Sequence, residues 1–285
     1  MTTTLDALYG FAFEAAGLEA VWRVAKALDA KRPLAAFVPA LGLRLGGPFE
    51  VLAGIRTAPR TRDASWVHQR FAFDPPELLT VAYGSGDGNL RFGVWVDDVA
   101  TGVACIAGNH DLGGGLADWG TTLAGALTRY AEGELDAAED DDDPAWARRL
   151  ASVIAALRSS ARKRASKRKP TAHAGDALGV VVPARAWAKP RIDLLELGIA
   201  VALDEKRPVQ RAIAEAKAAI TRGRAGTALA IGRTLWRAPG TRKDAGSILS
   251  AAYTALGRLD HARVATIAAR TVTRTMLVTR GRATR

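Results

Sequence analysis

The sequence has one cysteine, Cys105, so it can form neither an intrachain disulfide nor a zinc site built from several cysteines. It has only four histidines, and they are scattered over 285 residues. The Gly-x-Ser-x-Gly motif that positions the nucleophile of esterases is also absent. The sequence therefore does not indicate a disulfide-stabilised protein, a zinc protein with several cysteine ligands or an esterase.

Long apolar runs are absent as well. No stretch approaches the roughly 20 apolar residues that cross a bilayer. The first six residues, MTTTLD, lack the basic start and apolar core of a secretory signal. We therefore expect no membrane segment and a cytoplasmic location. With 48% hydrophobic residues the chain can bury a full core, and its length predicts two domains.

Charge is distributed unevenly along the chain. Residues 1–143 carry 11 Lys and Arg against 21 Asp and Glu, a net of −10, whereas residues 144–285 carry 29 against 8, a net of +21. A half this basic favours contact with a polyanion or with an acidic protein surface. A genome that favours arginine, together with mutual neutralisation of the two halves, explains the same asymmetry without any partner.

Two apolar runs rich in Val, Leu and aromatic residues predict a β-hairpin. They span residues 78–83 and 90–96 and flank the loop Gly84-Ser-Gly-Asp-Gly-Asn89. Glycine in this loop supplies the positive φ that hairpin turns need. Pro75 and Pro76 cannot donate ladder hydrogen bonds, so they should lie just before the first strand.

The rest of the first half indicates an α+β fold. We expect an antiparallel sheet with flanking helices, because short apolar runs alternate with segments of helical periodicity. The pattern predicts helices over residues 18–28 and 121–130, a short helical turn over 34–41, strands over 43–45, 49–53 and 101–106, and a loop over 55–65.

An acidic run follows. Residues 132–143 carry eight acidic side chains, five of them consecutive. Adjacent carboxylates repel one another, which predicts a solvated linker and a domain boundary at residue 143. Residues 1–143 are then an α+β domain, and residues 144–285 are a basic, mainly helical domain. Asp143 should cap its first helix, which starts at Pro144.

The second half contains one short predicted strand, over residues 179–183, and is otherwise helical in pattern. Residues 158–169 hold seven Lys and Arg, which indicates either a phosphate contact or a solvated helix end. Asn109-His110-Asp111 offers too few ligands for zinc, and we expect no metal or other cofactor. The predicted helices cover residues 192–203, 209–221, 225–238, 246–256 and 260–273, with Gly257 as a helix end.

Four sequence blocks in register resemble the histone PARylation factor family, the accessory proteins of poly(ADP-ribose) polymerases. They are LYGF at 8–11, LGLRLGGPFEVLAG at 41–54, the segment 66–98 around Asp-Pro-Pro-Glu, and Val-Val-Pro at 181–183. Their order and spacing agree from about residue 5 to about residue 265. The chain is similar to a bacterial-type member without the zinc finger of some animal members. The resemblance implies an accessory factor of ADP-ribosylation.

The resemblance also implies where catalysis would occur. In animal members a carboxylate of the helical domain completes the polymerase active site as a general base and redirects modification from acids to serines. Carried onto this chain through Gly232, the family's acidic pair falls on Thr221 and Arg222, neither of which can act as the base. Residues 216–243 contain no Asp or Glu, and Glu215 is six to seven positions away, on another helix face.

We therefore expect a binding protein without catalytic residues of its own. Arg191, which aligns with the family's partner-facing arginine if one gap is allowed, should face an acidic partner together with Arg222 and Arg224. That partner is an ADP-ribosyltransferase, another acidic protein surface or poly(ADP-ribose). Two other functions fit the sequence. The Gly-Asp-Gly hairpin is similar to SMI1/KNR4-type toxin-immunity proteins, and the basic half suits a nucleic-acid-binding protein.

Overall fold

The computed structural model describes residues 2–68, 70–71, 74–85, 90–109, 115–160, 168–174 and 176–279. The chain forms two compact units. The first comprises Met1–Gln69 and Leu78–Arg168, and the second comprises Arg70–Glu77 and Lys169–Arg285. The short segment Arg70–Glu77 therefore belongs to the second unit, although the first unit precedes and follows it in sequence.

An antiparallel meander forms the sheet of the first unit. Among the described residues it has five strands, each paired with the next in sequence: β1 (Leu43–Leu45), β2 (Leu78–Gly84), β3 (Arg91–Trp95), β4 (Cys105–Asn109) and β5 (Ala117–Asp118). Leu78 lies opposite Trp95, and Trp95 lies opposite Cys105. The antiparallel sheet expected from the sequence is confirmed.

The predicted β-hairpin is the centre of this sheet. β2 and β3 follow the two apolar runs, and all of β3 is buried. Position 93 needs glycine, because a Cβ there would lie 2.5 Å from Leu78 Cδ1 and 2.7 Å from the carbonyl oxygen of Leu79. β2 begins at Leu78, two residues after Pro76, so the two prolines lie just before the strand as predicted. The loop residues 86–89 lie outside the described residues.

Two helices of the first unit begin as the sequence predicts. α2 coincides with the predicted helix and buries Val21 and Trp22. α7 starts at Pro144, and the Asp143 carboxylate accepts hydrogen bonds from the next two free backbone N–H groups, at 3.1 and 2.9 Å. The described helices of this unit are α1 (Thr2–Tyr9), α2 (Leu18–Leu28), α3 (Val38–Leu41), α4 (Pro48–Leu52), α5 (Arg62–Val67), α6 (Leu123–Asp140) and α7 (Pro144–Ser160).

The strand predicted over residues 49–53 is wrong, because the chain enters α4 there. Gly47 has a φ of +55°, which turns the chain out of the extended conformation. Pro48 then occupies the first helical position, where its missing N–H costs nothing. The strand predicted over residues 101–106 overlaps β4 only from Cys105 onward.

The loop predicted over residues 55–65 ends earlier than expected. α5 starts at Arg62, and the hydroxyl of Thr61 caps it by accepting a hydrogen bond from the Ala64 N–H at 3.3 Å. This stretch is polar and basic, so its composition predicted a loop and not the helix that buries Trp66. Thr61 is the kind of N-cap residue from which the start could have been predicted.

The acidic linker predicted over residues 132–143 is also wrong. α6 continues through most of it to Asp140 and buries Ala131 and Ala138 on its inner side. Its acidic side chains are exposed or half-buried, and there water and salt weaken their mutual repulsion. An apolar inner side is therefore enough to keep the acidic segment helical.

The first compact unit extends beyond the predicted domain boundary at residue 143. α7 packs against α6, and the unit therefore runs to Arg168. That residues 1–143 and residues 144–285 fold as separate domains stays a prediction.

Helices around α10 build most of the second unit. Every residue of α10 is buried, and α8, α9 and α11 pack against it. The predicted helices are all present with shifted ends, and Gly257, with a φ of +74°, directly follows the last turn of α11 as predicted. The described elements are β6 (Ala172–Ala174), β7 (Asp176–Val180), α8 (Leu194–Ala202), α9 (Lys206–Thr221), α10 (Ala225–Leu235), α11 (Arg242–Ala255) and α12 (Leu259–Thr279).

The architecture is α+β, as the sequence predicts. An antiparallel sheet with helices comes first, and a mainly helical region follows. In the described part of the chain, no helix combines the length and the apolar character that crossing a membrane requires.

An unpaired tyrosine hydroxyl lies in the core of the first unit. Tyr9 is buried, its ring contacts Phe13 at a centroid distance of 5.1 Å, and its hydroxyl has no hydrogen-bond partner. Burial, and secondarily the Glu50 carboxylate, raises the pKa of Tyr9, because a phenolate here would lose its hydration beside a negative charge. Tyr9 therefore stays protonated at alkaline pH in the folded state.

We expect Tyr9→Phe to keep the free energy of unfolding at pH 7 or to raise it by up to about 1 kcal/mol, because it removes an unpaired buried hydroxyl. Above a pH of about 10 the unfolded wild type releases a proton that the folded state retains, so its stability falls. The variant should lose less stability over this range. Urea unfolding at pH 7 and at pH 10.5 tests this, and equal losses in both proteins would contradict the assignment.

Candidate functional site

The three arginines predicted to face a partner all lie in the second unit, and all three are exposed. Arg191 precedes α8, Arg222 directly follows α9, and Arg224 directly precedes α10. They come from two chain segments, residues 184–191 and the turn between α9 and α10.

Hydrogen bonds hold these two segments together. The Arg224 guanidinium donates through Nη1 to the carbonyl oxygens of Arg185 at 2.6 Å and Trp187 at 3.5 Å. The Thr227 hydroxyl accepts from the N–H of Ala188 at 3.0 Å and donates to its carbonyl oxygen at 2.5 Å. Arg224 therefore positions residues 185–187 in addition to carrying charge at the surface.

A carboxylate lies at the same place. Glu215 Oε1 accepts a hydrogen bond from the backbone N–H of Arg191 at 2.6 Å. Glu215 does not align with the family's acidic pair, because it precedes Thr221 by six positions. In a helix this spacing separates the two residues by about 9 Å along α9. The contact joins residues 24 positions apart, so no local pattern could have revealed it. Glu215 is the residue of this site that sequence reasoning missed.

The two residues aligned with the family's acidic pair are both exposed. Thr221 is the last residue of α9, and its hydroxyl donates to the carbonyl oxygen of Lys217 at 3.2 Å. A threonine hydroxyl is a weak base, and the guanidinium of Arg222 has no acceptor atom. Neither side chain can take a proton from a serine at neutral pH.

Five exposed cations lie on residues 184–191 and on the turn between α9 and α10, and we call them the basic cluster: Arg185, Lys189, Arg191, Arg222 and Arg224. Glu215 is half-buried and contacts this cluster through the backbone N–H of Arg191. The five cations outnumber this carboxylate, so the surface is net positive. Such a surface attracts carboxylates or phosphates, and the attraction weakens as salt screens it.

The second unit also buries two carboxylates of the Asp-Pro-Pro-Glu motif. Asp74 is 0% exposed and Glu77 is 2% exposed. Asp74 Oδ2 accepts from the Phe71 N–H at 2.9 Å, and Glu77 Oε1 lies 3.9 Å from Arg233 Nη1. The Trp236 indole donates to the Asp74 carbonyl oxygen at 2.9 Å. From the sequence, this motif indicated a strand boundary and a family resemblance, but not that its two carboxylates are buried.

Two further arginines surround this motif. Arg70 donates to the carbonyl oxygens of Asp74, Pro75 and Pro76 at 3.2, 2.5 and 3.3 Å. Arg242 stacks over the Trp236 ring at 4.2 Å from its centroid. Burial lowers the pKa of Arg242 to about 10, although the Asp74 carboxylate acts in the opposite direction. Arg242 is therefore still charged at neutral pH.

The basic tract over residues 158–169 is partly used in ion pairs of the first unit. Arg168 is buried, with Nε 2.7 Å from Asp97 Oδ2 and Nη2 2.9 Å from Oδ1. Arg158 Nη2 lies 2.5 Å from Glu132 Oε1 in an exposed pair. Residues 161–167 lie outside the described residues, so a phosphate contact there stays a prediction.

The described residues do not include a metal site. Among them, no group of three or more His, Cys, Asp or Glu side chains could hold a metal ion. Cys105 is buried in β4, and burial raises the pKa of its thiol, so the thiolate is disfavoured. His110 lies outside the described residues, and half-buried His68 pairs with Glu50.

A sequence comparison identifies the family. The profile described as Histone PARylation factor 1 matches residues 10–187, well over half of the 285 residues. The chain belongs to the Histone PARylation factor 1 family. The match covers the whole sheet of the first unit and ends just before Arg191. The alignment of the family's acidic pair with Thr221 and Arg222 therefore stays a prediction.

Individual relatives match over a shorter region. Histone PARylation factor 1 of Mus musculus is 34% identical over 79 residues, and that of Bos taurus is 35% identical over 79 residues. The protein of Danio rerio is 32% identical over 76 residues. Each alignment covers 27% of this chain and 22% of the relative. The chain thus spans about a fifth of the length of these relatives.

We expect Thr227→Val to loosen residues 185–191, because it removes both hydrogen bonds to Ala188 while keeping the side-chain shape. The free energy of unfolding should fall by about 1–2 kcal/mol, and trypsin should cut after Arg185 faster. Thr221→Val is the matched control, since its hydroxyl is exposed, and it should change stability by less than about 0.5 kcal/mol. Equal cleavage rates in both variants would show that Thr227 does not hold the segment.

Proposed function

We propose that this chain is a non-catalytic accessory protein of ADP-ribosylation that binds an acidic surface of an ADP-ribosyltransferase through the basic cluster. Membership of the Histone PARylation factor 1 family supports the link to ADP-ribosylation. The observation that carries the binding role is the exposed group of five cations around residues 184–191 and the turn between α9 and α10. Cationic surfaces of this kind steer association with acidic partners.

The chemistry of the cluster argues against a proton-transfer role. The Thr221 hydroxyl is too weak a base to take a proton at neutral pH, and the Arg222 guanidinium has no acceptor atom. Glu215, a carboxylate in contact with the cluster, is half-buried and holds the backbone of Arg191 in place. A carboxylate that accepts a backbone N–H in this way positions a loop. The cluster is therefore better suited to binding a partner than to transferring a proton.

The same cations could meet a protein or a polyanion, and we favour the protein. The cations lie on two segments joined by several hydrogen bonds, which fixes their spacing. A fixed set of charges suits specific carboxylates on a folded partner. A flexible polyanion needs only charge density, and it would gain little from this spacing.

We expect Arg191→Ala/Arg222→Ala to weaken binding to a purified poly(ADP-ribose) polymerase by about tenfold, because two interface charges are lost. Arg207→Ala/Arg211→Ala is the control, since it removes the same charge from exposed positions of α9. Calorimetry at two salt concentrations measures both variants against the wild type. The loss should be smaller at the higher salt concentration.

The same measurement separates this function from the other candidates. The nucleic-acid function would be favoured if the wild type does not bind the polymerase but binds random duplex DNA with a steep salt dependence. Equal losses in the two double variants would show that net charge alone matters. Either result would remove the basic cluster as a specific binding site.

A further inference from the structure

α8 carries an apolar stripe on its outer side. Leu195 is 71% exposed, Ile199 is 54% exposed and Leu203, the residue after the helix, is 66% exposed. They recur every four residues, so they lie one above another on successive turns. Exposed large apolar side chains are normal when they are single, but three in a row form a continuous apolar surface.

Folding of the second unit does not need this stripe. The opposite side of α8 buries Leu197, Ala200 and Val201, and Leu197 and Val201 belong to the core that includes α10. Asp193 caps the helix by accepting hydrogen bonds from the N–H groups of Leu195 and Glu196 at 2.8 and 3.1 Å. The helix is therefore held from its inner side and its N-terminus, and the stripe faces solvent.

Acidic residues flank the stripe at both ends. Asp193 and Glu196 are exposed at its start, and Asp204 and Glu205 are exposed at its end. Residues 193–205 contain these four acids and no Lys or Arg, within a half of the chain whose net charge is +21. Local charge thus has the opposite sign to that of the surrounding sequence, and this restricts what can cover the stripe.

A second copy of the same stripe is a poor occupant. If two α8 helices met along their stripes, acids would face acids in either the parallel or the antiparallel arrangement. Like charges at the edge of an apolar contact oppose association. A segment with apolar residues on one side and Lys or Arg at both ends can bury the apolar stripe and pair with the acids at the same time.

We infer that the α8 stripe is a docking surface for an amphipathic helix of a partner protein, with apolar side chains on one face and basic residues at both ends. This surface prefers a charge opposite to that preferred by the basic cluster. The two surfaces therefore bind different partner segments, and this inference does not rest on the proposed function.

A designed peptide tests the surface directly. The probe is a helical peptide with Leu at positions i, i+4 and i+8 and two Lys at each end, and the matched peptide has Glu in place of Lys. The wild-type protein should bind the Lys peptide at least about tenfold more tightly than the Glu peptide, as measured by fluorescence anisotropy.

Two variants separate the apolar and charge contributions. Leu195→Ser/Ile199→Ser/Leu203→Ser should weaken binding of the Lys peptide by about tenfold or more, because it removes the apolar contact. Glu196→Gln/Asp204→Asn/Glu205→Gln should abolish the preference for Lys over Glu while leaving α8 intact. Leu259→Ser is the control, since Leu259 is equally exposed at 66% on α12, and it should leave binding unchanged.

Other outcomes would overturn the inference. No binding of the Lys peptide, or equal binding of both peptides, would remove the proposed occupant. A wild-type dimer that the triple serine variant converts to a monomer would show that a second copy covers the stripe. Binding to phosphatidylcholine vesicles that the same variant abolishes would assign the stripe to a lipid surface.

Discussion

Two carboxylates removed from water, Asp74 and Glu77, hold a short segment inside a unit that is otherwise built from residues after 168. Burying a carboxylate costs several kcal/mol unless cations and hydrogen bonds compensate. Here the compensation comes from Arg70 and Arg242 near Asp74, and from Arg233 near Glu77. α10 supplies Arg233 and is itself wholly buried. The Asp-Pro-Pro-Glu motif is therefore in contact with the helix against which α8, α9 and α11 pack.

Sequence reasoning succeeded where the signal is local. The β-hairpin, α2 and the start of α7 follow from apolar spacing, glycine and a capping aspartate within a few residues. It failed where distant contacts decide. The acidic end of α6 is helical because Ala131 and Ala138 are buried. The contact between Glu215 and Arg191 had no local signal either. The error at α4 is different, because its signal, Gly47 followed by Pro48, is local and was assigned to a strand.

The second unit presents two surfaces of opposite character. One is the basic cluster, whose arginines lie on segments joined by side-chain hydrogen bonds to backbone groups. The other is the α8 stripe with acids at both ends. Arg191 of the basic cluster and Asp193 at the start of the α8 stripe are two residues apart. The charge therefore changes sign between the two surfaces over a short stretch of sequence. The two proposed binding roles would let this one unit contact two different segments of its partners.

The central claim is that the Histone PARylation factor 1 scaffold is retained here without a working general base. Mapping the acceptor residues by mass spectrometry, after a poly(ADP-ribose) polymerase reacts with NAD and histone in the presence of this chain, tests it most directly. The account predicts that the wild type and Glu215→Gln leave modification on acidic residues. Modification that moves to serine with the wild type and returns to acidic residues with Glu215→Gln would identify Glu215 as the base and contradict the account.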